Sequence, residues 1–72
     1  MELCNRLKEL RLQQGLTQVS LAERVGVTRQ TIIAVEKGKF VPSVKLALRL
    51  ADALGASLED VFWLDDNKGG EA

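Results

Sequence analysis

Residues 17–39 read TQVSLAERVGVTRQTIIAVEKGK, and this stretch decides the fold. It holds two amphipathic segments, each opening on a threonine suited to cap a helix, Thr17 and Thr28. Each segment is followed by a glycine, Gly26 or Gly38, which tolerates the left-handed backbone that ends many helices. The pattern predicts a helix-turn-helix over residues 17–37, whose second helix is suited to a DNA major groove.

The second helix of this motif presents an unusual outer face. Successive residues are separated by 100°, which turns Ile32, Val35 and Glu36 toward the body of the domain. An arginine pairs well with guanine, a glutamine with adenine, and small apolar groups with thymine methyls. We therefore predict that base edges are read by the outward residues Arg29, Gln30, Ile33 and Ala34.

Several short motifs around this stretch carry a family resemblance. They are GLTQ at 15–18, LA at 21–22, VGVT at 25–28, QTI at 30–32 and EKGK at 36–39. With them the chain resembles the Cro/CI-like (XRE-type) family of phage and bacterial repressors from about residue 7 to residue 64. The resemblance implies an all-α fold, a five-helix lambda-repressor-like DNA-binding domain that spans residues 1–64.

The resemblance also implies roles for individual residues. An arginine of the first helix pairs with the glutamate that ends the recognition helix, which here joins Arg11 to Glu36. Many short relatives carry a serine at the position of Ile33, so a base preference is not transferred there. Lys37 and Lys39 are either phosphate ligands or a solvated pair. The expected contacts to DNA phosphates are Thr17, Gln18, Thr28, Lys37 and Lys39.

Composition limits the classes of protein. A chain of 72 residues holds a single domain. It has no histidine and one cysteine, Cys4, which excludes an intrachain disulfide and argues against a metal site or cofactor. The same absence of histidine, with no base beside Cys4, argues against an enzyme. No apolar run is long enough for a membrane span, and a reducing cytoplasm fits the cysteine content.

Charge is unevenly distributed along the chain, although the formal net charge is zero. Residues 1–49 contain nine Lys or Arg and four Asp or Glu, whereas residues 50–72 contain one and six. The positive part contains the helix-turn-helix, as expected for a protein that binds nucleic acid. Acidic C-terminal segments are common, however, so the asymmetry alone is also compatible with chance.

The flanking segments are predicted to support the motif. A first helix is expected over residues 5–14, a fourth over 43–54 with Val44 buried, and a short fifth from Ser57. Phe40 is expected to fill the core rather than to stack on bases. In short relatives the segment before the first helix pairs as a strand with the segment after the fifth, here residues 61–64. Residues 65–72 (DDNKGGEA) are predicted to form a flexible acidic tail.

The apolar residues of the last segment exceed what one face of a short helix can bury in so small a domain. A second chain would cover them, although Trp63 alone would also suit a cover over the core. The residues predicted to contact a second copy are Val61, Phe62, Trp63 and Leu64.

These observations predict a sequence-specific regulator of transcription that binds double-stranded DNA. We expect a repressor that binds a pseudo-palindromic operator as a homodimer, in the cytoplasm of a prokaryote or phage host and associated with the nucleoid. The alternative is an antitoxin-like or adaptor module that keeps the fold and binds a protein partner. Arg29 and Gln30 at the front of the second helix favour the DNA interpretation, since protein contact does not require them.

Overall fold

The computed structural model describes residues 1–66, which form five helices and a small two-stranded sheet. In chain order the elements are β1 (Glu2–Asn5), α1 (Leu7–Gln13), α2 (Gln18–Val25), α3 (Arg29–Glu36), α4 (Val44–Leu54), α5 (Leu58–Val61) and β2 (Phe62–Asp65). The five predicted helices and the pairing of the two outer segments are confirmed.

Side-chain caps and glycines set the ends of the central helices. The Thr17 hydroxyl accepts a hydrogen bond from the Ser20 N–H at the start of α2, and the Ser20 hydroxyl accepts one from the Thr17 N–H. Gly26 ends α2 with φ of 77°, a conformation that most side chains resist. Thr28 then caps α3. The chain therefore reverses within a few residues and brings α3 against α2.

One apolar core joins all the helices and the sheet. The spacing of apolar residues in the sequence explains this core, because the buried positions recur at intervals of three and four residues along each helix. The buried apolar residues are Leu7, Leu21, Ala22, Val25, Ile32, Val35, Ala47, Leu50, Ala51, Leu54, Val61 and Phe62.

The sheet joins residues that are distant in sequence. β1 and β2 are antiparallel, with Leu3 opposite Leu64, Cys4 opposite Trp63, and Asn5 opposite Phe62. Phe62 is buried, so the face that it shares with Asn5 lies on the core. The sheet thereby fixes the start of α1 beside the end of α5.

Several predicted boundaries are wrong by a few residues. α1 begins at Leu7 rather than at residue 5, because Asn5 belongs to β1 and its side chain accepts a hydrogen bond from the Leu7 N–H. β2 is Phe62–Asp65 rather than residues 61–64, because Val61 ends α5 and Asp65 pairs with Glu2. Of the predicted flexible tail, residues 67–72 lie outside the described part of the chain.

Two residues predicted to be buried are exposed. Phe40 is 47% exposed and Val44 is 73% exposed. Phe40 lies in the connection between α3 and α4, and Val44 is the first residue of α4, so neither position reaches the packed interior. Within residues 1–66, no helix has the length and apolar character needed to cross a membrane.

Candidate nucleic-acid interface

The outer face of α3 is the surface that the sequence assigns to DNA. Arg29 and Gln30, the first two residues of the helix, are exposed, as is Lys37 at its end. Ile33 and Ala34 are half-buried on the same side, and Lys39 is exposed in the connection that follows. Arg29 and Gln30 are therefore accessible to a ligand at the front of the helix, and the lysines at its rear.

The two threonines at the helix starts are engaged within the protein. The Thr17 hydroxyl accepts from the Ser20 N–H at 2.9 Å, and the Thr28 hydroxyl accepts from the Thr31 N–H at 3.3 Å. Both side chains remain exposed. Their hydroxyls can still approach an anion, but their main structural effect is to fix where α2 and α3 begin.

A buried ion pair holds the rear of α3 against α1. Arg11 Nε donates to Glu36 Oε2 at 2.7 Å, and the two side chains retain only 7% and 6% of their exposure. Arg11 Nη1 also donates to the Leu16 carbonyl oxygen at 2.9 Å. Because both charges are removed from water, the pair stabilises the fold only in a geometry that satisfies both groups. This requirement restricts how α3 can rotate relative to α1.

Gln18 connects this ion pair to the front of the recognition helix. Its Nε2 donates to Glu36 Oε1 at 3.2 Å, and its Oε1 accepts from Arg29 Nε at 3.2 Å. The amide therefore bridges the buried carboxylate and the exposed guanidinium. Gln18, which the family resemblance assigns to phosphate, uses both amide atoms within the protein in this structure. Its link to Arg29 has no signal in the sequence, because the two residues lie eleven positions apart on different helices.

The four residues predicted to contact a second copy differ in how far they are exposed. Val61 and Phe62 are buried in the core of the single chain, with exposures of 0% and 8%. Their side chains are therefore already packed and offer little surface to a partner. Trp63 and Leu64 are exposed, at 37% and 60%. The Arg6 guanidinium lies over the Trp63 ring, 4.8 Å from its centroid, so one face of the indole is already covered.

An apolar groove of about 260 Å³ lies beside these residues, between the sheet and the start of α4. Leu3 and Leu64, which face each other across the two strands, form one wall. Val44, Leu58 and Phe62 also line the groove. The other lining residues are Pro42, Ala47, Glu59 and Trp63. We call this surface the strand groove.

Comparison with known proteins agrees with this architecture. The family model described as helix-turn-helix matches residues 7–61, which include all five helices. The chain belongs to the XRE-type helix-turn-helix family. This is a family of transcriptional regulators that bind double-stranded DNA.

Relatives named as HTH-type transcriptional regulators match most of the chain. One from Methanothermobacter thermautotrophicus is 60% identical over 62 residues, covering 85% of this chain and 90% of that protein. YgzD of Bacillus subtilis is 53% identical over 62 residues, covering 86% of this chain and 94% of that protein. Among solved structures, the restriction-modification controller protein C.AhdI of Aeromonas hydrophila is 38% identical with a TM-score of 0.72, covering 76% of this chain and 83% of that one.

Glu36→Gln tests the buried ion pair. The substitution keeps the shape of the side chain but leaves the Arg11 charge buried without a counter-ion, which typically costs about 3 kcal/mol or more. We expect urea denaturation to show that the free energy of unfolding falls by this amount. Glu23→Gln on the exposed surface of α2 is the control and should change stability by less than about 0.5 kcal/mol. Equal stabilities of the two variants would contradict the role given to the pair.

Proposed function

We propose that this protein is a repressor that binds a pseudo-palindromic operator as a homodimer, with α3 of each copy in the major groove. The observation that carries the proposal is the exposed pair Arg29 and Gln30 at the front of α3, with Arg29 tied through Gln18 to a buried ion pair. Repression follows where such an operator overlaps a promoter. The site of action is then the nucleoid, in the cytoplasm of a prokaryote or phage host.

Base reading is assigned to the front and middle of α3. Arg29 is held at Nε by Gln18, which leaves its terminal Nη groups to pair with a guanine. Holding a long side chain before binding lowers the entropy lost when the complex forms. Gln30 is placed to pair with adenine, while Ile33 and Ala34 offer apolar surface to thymine methyls.

Phosphate binding is assigned to the residues around this face. Lys37 and Lys39 flank Gly38 at the rear of α3 and are exposed, so they can reach one strand of the DNA backbone. Thr17, Gln18 and Thr28 lie at the starts of α2 and α3, where backbone N–H groups also attract anions. Contacts of this kind fix position and orientation but do not read sequence.

A homodimer supplies the affinity that a single small module lacks. Each good bidentate pairing contributes about 1 to 3 kcal/mol of discrimination, so two such side chains give a single copy limited specificity. Two copies related by a two-fold axis read two half-sites whose centres are roughly 10 bp apart.

The strand groove is the surface that we assign to the second copy. It is lined almost entirely by apolar side chains, and Leu64 at its edge is 60% exposed. A two-fold axis would let Leu64 of each copy enter the groove of the other, which makes the surface self-complementary. Trp63 lies at the same edge and extends the contact.

A selection from random duplex DNA tests the function directly. At about 100 mM salt, where nonspecific phosphate binding is partly suppressed, we expect the purified protein to enrich an inverted repeat. The control is a variant with both Arg29 and Gln30 replaced by alanine, which should enrich nothing. If the folded wild-type protein enriches no sequence, the DNA proposal fails and the antitoxin-like or adaptor alternative gains support.

Single substitutions separate base reading from phosphate binding. Arg29→Ala should relax preference at one base position in each half-site, by about 1 to 3 kcal/mol. Lys39→Ala should weaken binding to all sequences by similar factors and reduce the slope of log K against log salt by about 1. Titrations of one operator and its point variants at several salt concentrations measure both effects. Altered preference in Lys39→Ala but not in Arg29→Ala would reverse the assignment.

Leu64→Glu tests the dimer surface. Placing a charge in the apolar strand groove should shift the protein from dimer to monomer, at least tenfold in dissociation constant, because burying an unpaired carboxylate is costly. Sedimentation equilibrium without DNA gives the measurement. The matched control is Val19→Glu, a similarly exposed apolar residue on α2, which should leave the dimer unchanged. A dimer that survives Leu64→Glu would exclude this surface.

A further inference from the structure

Asn5 joins three elements through one side chain. It is the last residue of β1 and lies opposite Phe62 in the sheet. Its Oδ1 accepts from the Leu7 N–H at 3.0 Å, and its Nδ2 donates to the Val35 carbonyl oxygen at 3.0 Å. The two partners settle the orientation of the amide, because only the oxygen can accept and only the nitrogen can donate.

The bond to Leu7 replaces a missing helix cap. Arg6 occupies the N-cap position of α1 but makes no side-chain cap hydrogen bond. Asn5 satisfies the Leu7 N–H instead, two residues further along the chain, as asparagine does in an Asx-turn. This contact is local and explains the start of α1.

The bond to Val35 has a different effect, because it reaches thirty residues along the chain to α3. Val35 lies in the last turn of α3, where backbone carbonyls lack partners within the helix. Its oxygen accepts from the Gly38 N–H at 3.0 Å as well as from Asn5. The next residue, Glu36, is held by Arg11. The rear of α3 is therefore held at two successive residues, one through its backbone and one through its side chain.

Directional bonds at this end decide the orientation of the helix. The inner face of α3 packs through Ile32 and Val35, and apolar contacts of this kind are not directional. Hydrogen bonds weaken steeply when misaligned, so the Asn5 and Arg11 bonds resist tilt and rotation. Arg29 lies six residues from Val35, about 9 Å along the axis, so a small tilt at the rear displaces the base-reading end.

We propose that Asn5 is a positioning residue that sets the orientation of α3 in the major groove, and so the sequence preference of the protein. This inference rests on the proposed DNA-binding function. It gives the last residue of β1 a role in recognition through its bond to the Val35 carbonyl oxygen. The sheet that forms the wall of the strand groove is thereby joined directly to the recognition helix.

Asn5→Asp is the sharpest test. The substituted side chain keeps the acceptor for the Leu7 N–H but places a carboxylate oxygen, which cannot donate, against the Val35 carbonyl oxygen. We expect it to reduce the ratio of operator to random-sequence affinity by about tenfold, while random-sequence affinity falls less than threefold. Asn5→Ser is a second, uncharged variant whose hydroxyl can cap Leu7 but is too short to reach Val35, and it should lower the same ratio.

Ser57→Ala is the matched control for stability. It removes the cap of α5, a loss of about 1 kcal/mol, without touching α1 or α3. Affinities are compared at a temperature where circular dichroism shows every variant folded. A wild-type affinity ratio in Asn5→Ser, or an equal loss in Ser57→Ala, would overturn the proposal and leave Asn5 a structural cap. Absence of any sequence preference in the wild-type protein would instead overturn the proposed function, and this inference with it.

Discussion

The buried ion pair between Arg11 and Glu36 is the constraint on which the arrangement of the helices depends. Apolar packing brings α1, α2 and α3 together but is not itself directional. Two charges removed from water add a directional requirement, because each needs its partner at hydrogen-bond distance. Glu36 also accepts from Gln18, which in turn holds Arg29. A contact in the interior therefore determines where an exposed guanidinium lies.

The molecule combines two kinds of interaction with separate tasks. Apolar side chains at helical spacing supply the core, and the strand groove exposes a smaller apolar surface of the same character. Directional polar contacts then select one geometry from those that the core would permit. Asn5, Gln18 and Arg11 all form polar contacts with α3. Asn5 and Arg11 bond to the rear of the helix, and Gln18 bonds to a residue at each of its ends. Within residues 1–66, the helix assigned to DNA therefore makes more polar contacts with other elements than any other helix does.

The features that were predictable from the sequence are those that depend on residues close together in the chain. Thr17, Thr28 and Ser43 cap helices where expected, because capping depends on residues three positions away. Resemblance to a family supplied the Arg11 to Glu36 pairing and the strands. The links from Gln18 to Arg29 and from Asn5 to Val35 were not predictable, since they depend on the three-dimensional approach of separate elements. The burial predicted for Phe40 and Val44 is wrong because apolar residues also occupy protein surfaces.

The pairing of β1 with β2 also has a consequence for the order of folding. Residues 2–5 meet residues 62–65, so the sheet closes a loop that contains every helix of the described chain. Closing a loop of this length costs entropy that only the packed helices can offset, which makes the sheet a late event. The wall of the strand groove forms with it. A growing polypeptide therefore lacks this surface until β2 has emerged from the ribosome, however early its helices pack.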